Sequence, residues 1–111
     1  MSDAAFLERL ESTLRARRGA DPDSSYVAAL HAKGLARIAR KVGEEAVEAV
    51  IAAFDDDPAA LTAEAADLVF HLLVLLDARG LALADVLGEL ERREGVSGIA
   101  EKASREPQER A

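Results

Sequence analysis

From Leu68 to Leu76 the chain is apolar around the whole circumference of any helix it forms, broken only by His71. A helix of that kind must be covered on all sides. Just before the run, Glu64 and Asp67 lie three residues apart and share a narrow polar stripe with His71. A second acidic pair with the same spacing, Glu45 and Glu48, sits in the preceding helical segment. Residues three apart project from one helix face, so two such helices packed together bring four carboxylates to one place. These repel one another unless a cation lies among them. An all-oxygen set suits a hard divalent ion, most plausibly Mg²⁺, acting on a phosphate-containing ligand.

Alanine and leucine supply most of the apolar half of the sequence, and aromatics are only 4%. With so few β-branched and aromatic residues the expected class is all-α, an antiparallel bundle of about five helices. A chain of 111 residues reads as one domain, 1–111, with a core over about 3–94. The net charge of -7 argues against general affinity for nucleic acid or an anionic membrane. No cysteine is present, which removes disulfides, thiol catalysis and thiolate metal sites and is compatible with a cytoplasmic location. Met1-Ser2-Asp3 begins no basic-then-apolar leader. The run Leu68 to Leu76 is far shorter than the roughly 20 residues that cross a bilayer, so a buried helix rather than an anchor is expected.

Phe6, Leu7, Leu10 and Leu14 recur at helical spacing from Asp3 to about Arg17, after Ser2 as N-cap. A loop over Arg18 to Asp23 leads to a short helix from about Ser24 to Ala32, stopped by Gly34. A third helix runs from Leu35 to about Phe54. Asp57 caps a fourth, with Pro58 in its first turn, which continues to Arg79 and stops at Gly80. A fifth spans about Ala84 to Glu94 before Gly95. The polar tail over 95–111 is expected to be partly flexible and to fray from Arg105.

On a helical wheel the third helix gathers Arg37, Lys41, Glu44, Glu45 and Glu48 on one side. Leu35, Ile38, Val42, Ala46, Val50 and Phe54 take the other. Short flanking helices leave the fourth helix in need of cover, so a homodimer completing the bundle is expected; a monomer closed by the first and fifth helices is the alternative.

Asp67 is the most telling acid, because an unpaired carboxylate beside so apolar a run is costly. Glu44 and Glu45 alone would be unremarkable on a solvated face. His71 reads as a hydrogen-bonded core residue before a metal ligand. Neither acidic pair has the Glu-x-x-His form of a di-iron bundle, and no Gly-x-Ser-x-Gly, P-loop or His-Glu-x-x-His occurs. Arg37 and Lys41 are candidates either for phosphate binding or for surface ion pairs. Gly43, within the third helix, would permit close approach of a neighbour or ligand.

The segments Arg37-Ile38-Ala39-Arg40-Lys41-Val42-Gly43-Glu44-Glu45-Ala46-Val47-Glu48 and Glu64-Ala65-Ala66-Asp67-Leu68-Val69-Phe70-His71, continuing to Leu76, resemble the phosphoribosyl-ATP pyrophosphatase family of histidine biosynthesis. Ser24-Ser25-Tyr26 upstream and the stretch from Leu83 to Arg93 extend the resemblance over most of residues 6 to 94. It implies an all-α nucleoside triphosphate pyrophosphatase fold and Mg²⁺-dependent hydrolysis of phosphoribosyl-ATP to phosphoribosyl-AMP and pyrophosphate. It further implies Glu45, Glu48, Glu64 and Asp67 as metal ligands. Glu44 or Glu48 is then the candidate proton acceptor, and Arg37 and Lys41 are the candidate phosphate ligands. A house-cleaning pyrophosphatase of the same superfamily would share the four carboxylates. A non-catalytic acidic helical adaptor would need no metal at all.

Overall fold

Six helices make up the regular structure of the backbone over residues 2–109, with side chains described over 2–105, in this computed structural model. They are α1 (Asp3–Arg17), α2 (Tyr26–Lys33), α3 (Leu35–Ala52), α4 (Pro58–Ala78), α5 (Leu83–Arg92) and α6 (Gly98–Glu109). No strand occurs among the described residues. The expected all-α class is found, with one helix more than the sequence pattern suggested.

The helix ends follow from local chemistry. The Ser2 hydroxyl accepts the Ala5 N–H at 3.1 Å, Ser25 accepts that of Ala28 at 3.2 Å, and Asp57 accepts that of Ala59 at 3.0 Å, with Pro58 in the first turn. Each satisfies an amide that the helix itself leaves unpaired. Gly34 ends α2 and starts α3 in one residue at φ 98°, a backbone region that favours glycine. At the end of α4 the Gly80 N–H donates to Asp77 O and the Leu81 N–H to Leu76 O, the paired bonds of a Schellman stop.

α3 and α4 form an antiparallel hairpin with the most extensive helix contact in the chain, and α1 and α2 pack across one end of it. The core is there: Leu14, Val27, Leu30, Ile38, Leu73 and Val74 are buried together. α5 has no fully buried residue. It is tied in by the Glu11 carboxylate, which accepts the Leu83 N–H at 2.5 Å.

α6 was not legible as a helix because charge, rather than an apolar stripe, holds it in place. Glu101 is buried and receives Arg92 at 2.7 Å, with Arg93 at 3.7 Å and Arg105 at 3.6 Å. Of the fraying expected from Arg105, the residues up to Glu109 are helical; Arg110 and Ala111 lie outside the described residues.

By length and composition α4 is long and apolar enough to cross a bilayer, and only 17% of its most apolar window is buried within the chain. The expectation that it is covered on all sides is therefore not met inside one chain. Val69 and Leu72 of α4, Val47, Val50 and Ile51 of α3, and Phe54 just after α3 are exposed.

One ion pair fastens α4 to the loop after α1. Arg18 Nε donates to Asp77 Oδ2 at 3.0 Å and Arg18 Nη2 donates to Oδ1, a two-pronged contact on a carboxylate that is 8% exposed. Removing the guanidinium strands a buried charge, although Arg15 and His31 nearby soften the loss. Arg18→Ala is expected to destabilise the fold by about 2 kcal/mol, the half-exposed arginine keeping the cost below that of a fully buried pair. Urea denaturation measures it; an unchanged midpoint would show that the pair contributes nothing.

Candidate functional site

The hairpin seam is where the acids lie. Along α3, Ile38, Glu45 and Ala52 are buried at seven-residue intervals, with Lys41 and Glu48 at the intermediate positions. Along α4, Glu64, His71 and Ala78 repeat the same interval, with Val74 between the last two. These are the spacings that point toward a partner helix in an antiparallel pair. Carboxylates thus occupy positions that apolar residues normally fill.

This corrects the wheel reading of α3. Ile38 and Glu45, assigned to opposite sides, share one side because seven residues are nearly two full turns. Both are buried, whereas Val50 and Phe54, assigned to the apolar side, are 63% and 85% exposed.

Glu45, Glu48 and Glu64 each place a carboxyl oxygen within 4.8 Å of the other two. Glu45 is buried, Glu64 half-buried and Glu48 exposed. Lys41 Nζ approaches Glu45 Oε1 at 3.2 Å and Glu44 at 3.6 Å. The second oxygens of Glu45 and Glu64 are buried with no hydrogen-bond donor. Buried polar atoms are rarely left so, and two such acceptors within a cluster of three carboxylates fit a cation rather than water alone.

The electrostatics agree with the geometry. Glu48 has its carboxyl held above the ordinary value, first because Glu45 can share its proton, then because Glu45 is charged, with Glu64 adding the same two effects. Lys41 is held above its ordinary value chiefly by its bond to Glu45, with Tyr26 and Glu44 adding to it.

The remaining sequence candidates are placed differently. Asp67, one turn beyond Glu64, is exposed, is not part of the trio, and lines an open apolar groove of about 570 Å³ between α1 and α4 with Phe6, Leu10 and Phe70. Glu44 is exposed and turned toward Lys41. Arg37 is half-buried and makes no ion pair among the described residues. A Cβ added at Gly43 would meet nothing within 4 Å, so the close approach expected there is absent within the chain.

His71 is a core histidine, as its surroundings suggested. Nδ1 lies 2.7 Å from the Asp67 carbonyl and Nε2 lies 2.7 Å from the Tyr26 hydroxyl. Both ring nitrogens are engaged, leaving neither for a metal. Sequence reading gave Tyr26 no role; its only signal was its place in the Ser24-Ser25-Tyr26 segment. A shallow cleft of about 430 Å³ opens beside the trio, lined by Glu48, Glu64, Ile51, Asp55 and alanines of both helices.

Comparison with known proteins bears on the same residues. The phosphoribosyl-ATP pyrophosphohydrolase family profile matches residues 7–94. A phosphoribosyl-ATP pyrophosphatase of Dinoroseobacter shibae is 66% identical over 101 residues, 91% of this chain and 99% of that one. One from Rhizorhabdus wittichii is 65% identical over 99 residues, 89% and 93% of the two chains. One from Novosphingobium aromaticivorans is 61% identical over 105 residues, 95% and 98%.

The crowding of the trio has a sign that can be measured without any ligand. A carboxyl whose folded value is raised adds stability below its ordinary range and loses it as pH rises through the raised value. Metal-free protein should therefore lose thermal stability as pH rises from about 4 toward neutrality at this site. Glu48→Gln should raise its melting temperature at pH 7 by a few degrees. A lower melting temperature in the glutamine variant would mean that the trio is not under repulsion.

Proposed function

The chain belongs to the phosphoribosyl-ATP pyrophosphohydrolase family, and from that membership we propose how its own residues carry out the reaction. The activity is hydrolysis of phosphoribosyl-ATP to phosphoribosyl-AMP and pyrophosphate. The observation that carries the site assignment is that Glu45 and Glu64, two members of the trio with Glu48, each keep a buried oxygen without a donor.

Glu45, Glu48 and Glu64 are the proposed holders of Mg²⁺, and Asp67 joins them only if its exposed side chain turns toward Glu64. When bound, Mg²⁺ neutralises charge on phosphate oxygens and on the pyrophosphate leaving group and acidifies water. Lys41, fixed on α3 by Glu45, presents its ammonium beside the trio as the nearest cation for a phosphate oxygen. Arg37 lies one turn earlier on the same helix and, with no ion pair among the described residues, extends that cationic side. Glu48 is the exposed member of the trio and so the carboxylate best placed to take a proton from an attacking water. Glu44 is the poorer candidate, because its carboxylate is drawn to Lys41. The rival adaptor role has no use for two buried acceptors without donors.

A homodimer is part of the proposal. A compact domain of 111 residues has a radius of gyration of about 13 Å, against 16.4 Å here. Its accessible surface should be about 5,900 Å², against 7816 Å². The surplus of about 1,900 Å² exceeds the roughly 800 Å² per partner of a standard interface. The exposed Val47, Val50 and Ile51 flank Glu48 on α3 and Phe54 follows its end, so covering them also walls the cleft beside the trio.

Two measurements test this reading. Pyrophosphate release with Mg²⁺ should be rapid from phosphoribosyl-ATP and slow from a panel of common nucleoside triphosphates, and Glu48→Gln and Glu64→Gln should each lose activity by about a hundredfold or more while remaining helical. Turnover retained in both variants would remove the metal-site assignment. Light scattering at micromolar concentration should give twice the 11.8 kDa chain mass; a monomer mass would end the dimer proposal.

A further inference from the structure

Tyr26 is the first residue of α2, and its hydroxyl crosses to α4 to meet a buried histidine. The chemistry of that contact is fixed by its other end. A carbonyl oxygen can only accept, so His71 Nδ1 carries the proton that bonds Asp67 O at 2.7 Å. In the neutral ring Nε2 is then an acceptor, and the Tyr26 hydroxyl donates to it at 2.7 Å. The chain of donation runs in one direction, from Tyr26 through His71 to the backbone of Asp67.

Through His71, Tyr26 thus reaches the turn of α4 carrying Asp67, one turn from Glu64 of the trio. The residue is 52% exposed and its ring lies 6.3 Å from that of Phe70, centroid to centroid, so the hydroxyl end is the anchored end.

We propose that Tyr26 and His71 are positioning residues of the pyrophosphatase site, a hydrogen-bonded clasp from α2 that fixes the α4 turn carrying Asp67, next to Glu64 of the trio. This rests on the assignment of the carboxylate cluster as the site of phosphoryl chemistry. It adds a role for residues outside that cluster. Neither side chain touches the reacting atoms. Partners that orient ligands in this way commonly change metal affinity or activity by ten- to a hundredfold when removed.

Tyr26→Phe tests the clasp with little risk to folding, because it keeps the ring and removes one oxygen at a half-exposed position. The expected result is a fall in kcat/KM for phosphoribosyl-ATP of about tenfold and a several-fold weaker affinity for Mn²⁺ in the absence of substrate, with the melting temperature within a few degrees of the parent. Nitrogen-15 shifts of His71 should report the Nδ1–H tautomer in the parent and a mixture of tautomers in Tyr26→Phe. Parent-like kinetics and Mn²⁺ affinity in Tyr26→Phe would overturn the proposal, and so would loss of activity confined to Tyr26→Ala, since the ring would then be the working part. Glu48→Gln measured alongside separates the two levels. Turnover lost in Glu48→Gln but kept in Tyr26→Phe rejects the clasp alone; turnover kept in Glu48→Gln removes the cluster on which the clasp depends.

Discussion

Three carboxyl groups placed on the seam of a helical hairpin are the constraint to which the rest of this chain answers. A seam normally gains stability by excluding water from apolar side chains. Here Glu45 is 5% exposed and shares the seam with Glu48 and Glu64, so this stretch of α3 against α4 is held together by something other than apolar burial. Burying one such carboxylate costs several kcal/mol unless an opposite charge meets it, and Lys41 answers only one oxygen of Glu45. The hairpin therefore depends on what surrounds it. Ile38 and Val74 close the seam on one side of the trio, at 1% and 0% exposure, and α1 and α2 bring Leu14, Val27 and Leu30 onto that same end.

That division explains why so much apolar surface stays open. The core sits at the end of the hairpin where α1 and α2 cross it, and the Arg18–Asp77 pair locks that end. The opposite end, where α3 turns into α4, has Val50 and Ile51 exposed on α3, Phe54 exposed in the turn and Leu61 exposed on α4. The acids divide the two regions. A second copy laid over the open end would supply apolar burial that the seam itself forgoes, and would do so beside the cleft lined by Glu48 and Glu64. Stability and site formation would then be coupled, because the surface that needs cover adjoins the surface that needs walls.

How far the sequence foretold this varies with the kind of interaction. Caps and stops at Ser2, Asp57, Gly34 and Gly80 were legible because each depends on a few neighbouring residues. The helical class and the acidic pairs were legible from spacing alone. The inward turn of α3 was obscured by sorting residues into polar and apolar sides, which separates Ile38 from Glu45 although the two share a side. Nor could spacing tell Glu64 from Asp67: both lie on one stripe, yet one joins the trio and the other lines the groove against α1. That difference is set by which helix packs alongside, a fact of three dimensions. α6 and the Tyr26–His71 bond escaped for the same reason, since each depends on contacts between elements far apart or on charges with no periodic signature.

The acids of this chain sort by their company, and the sorting separates scaffold from site. Glu89 is held down at about 2 by its bonds to Arg92 and then Arg93, so it stays ionised through the whole range in which the fold is used and acts as a fixed anion for the α5 end. Its contribution is present above the ordinary carboxyl value and is lost only as pH falls toward 2. Asp77 and Glu101 also meet arginines, and both are buried. Glu48 is the same residue type as Glu89 in an environment of opposite sign, pushed up by Glu45 and Glu64. A chain with arginines to spare for Glu89, Glu101 and Asp77 leaves the trio with a single lysine. Packing does not require that asymmetry, since any of those cations at a seam position would relieve it. It is the arrangement expected where the missing positive charge is to come from outside the chain.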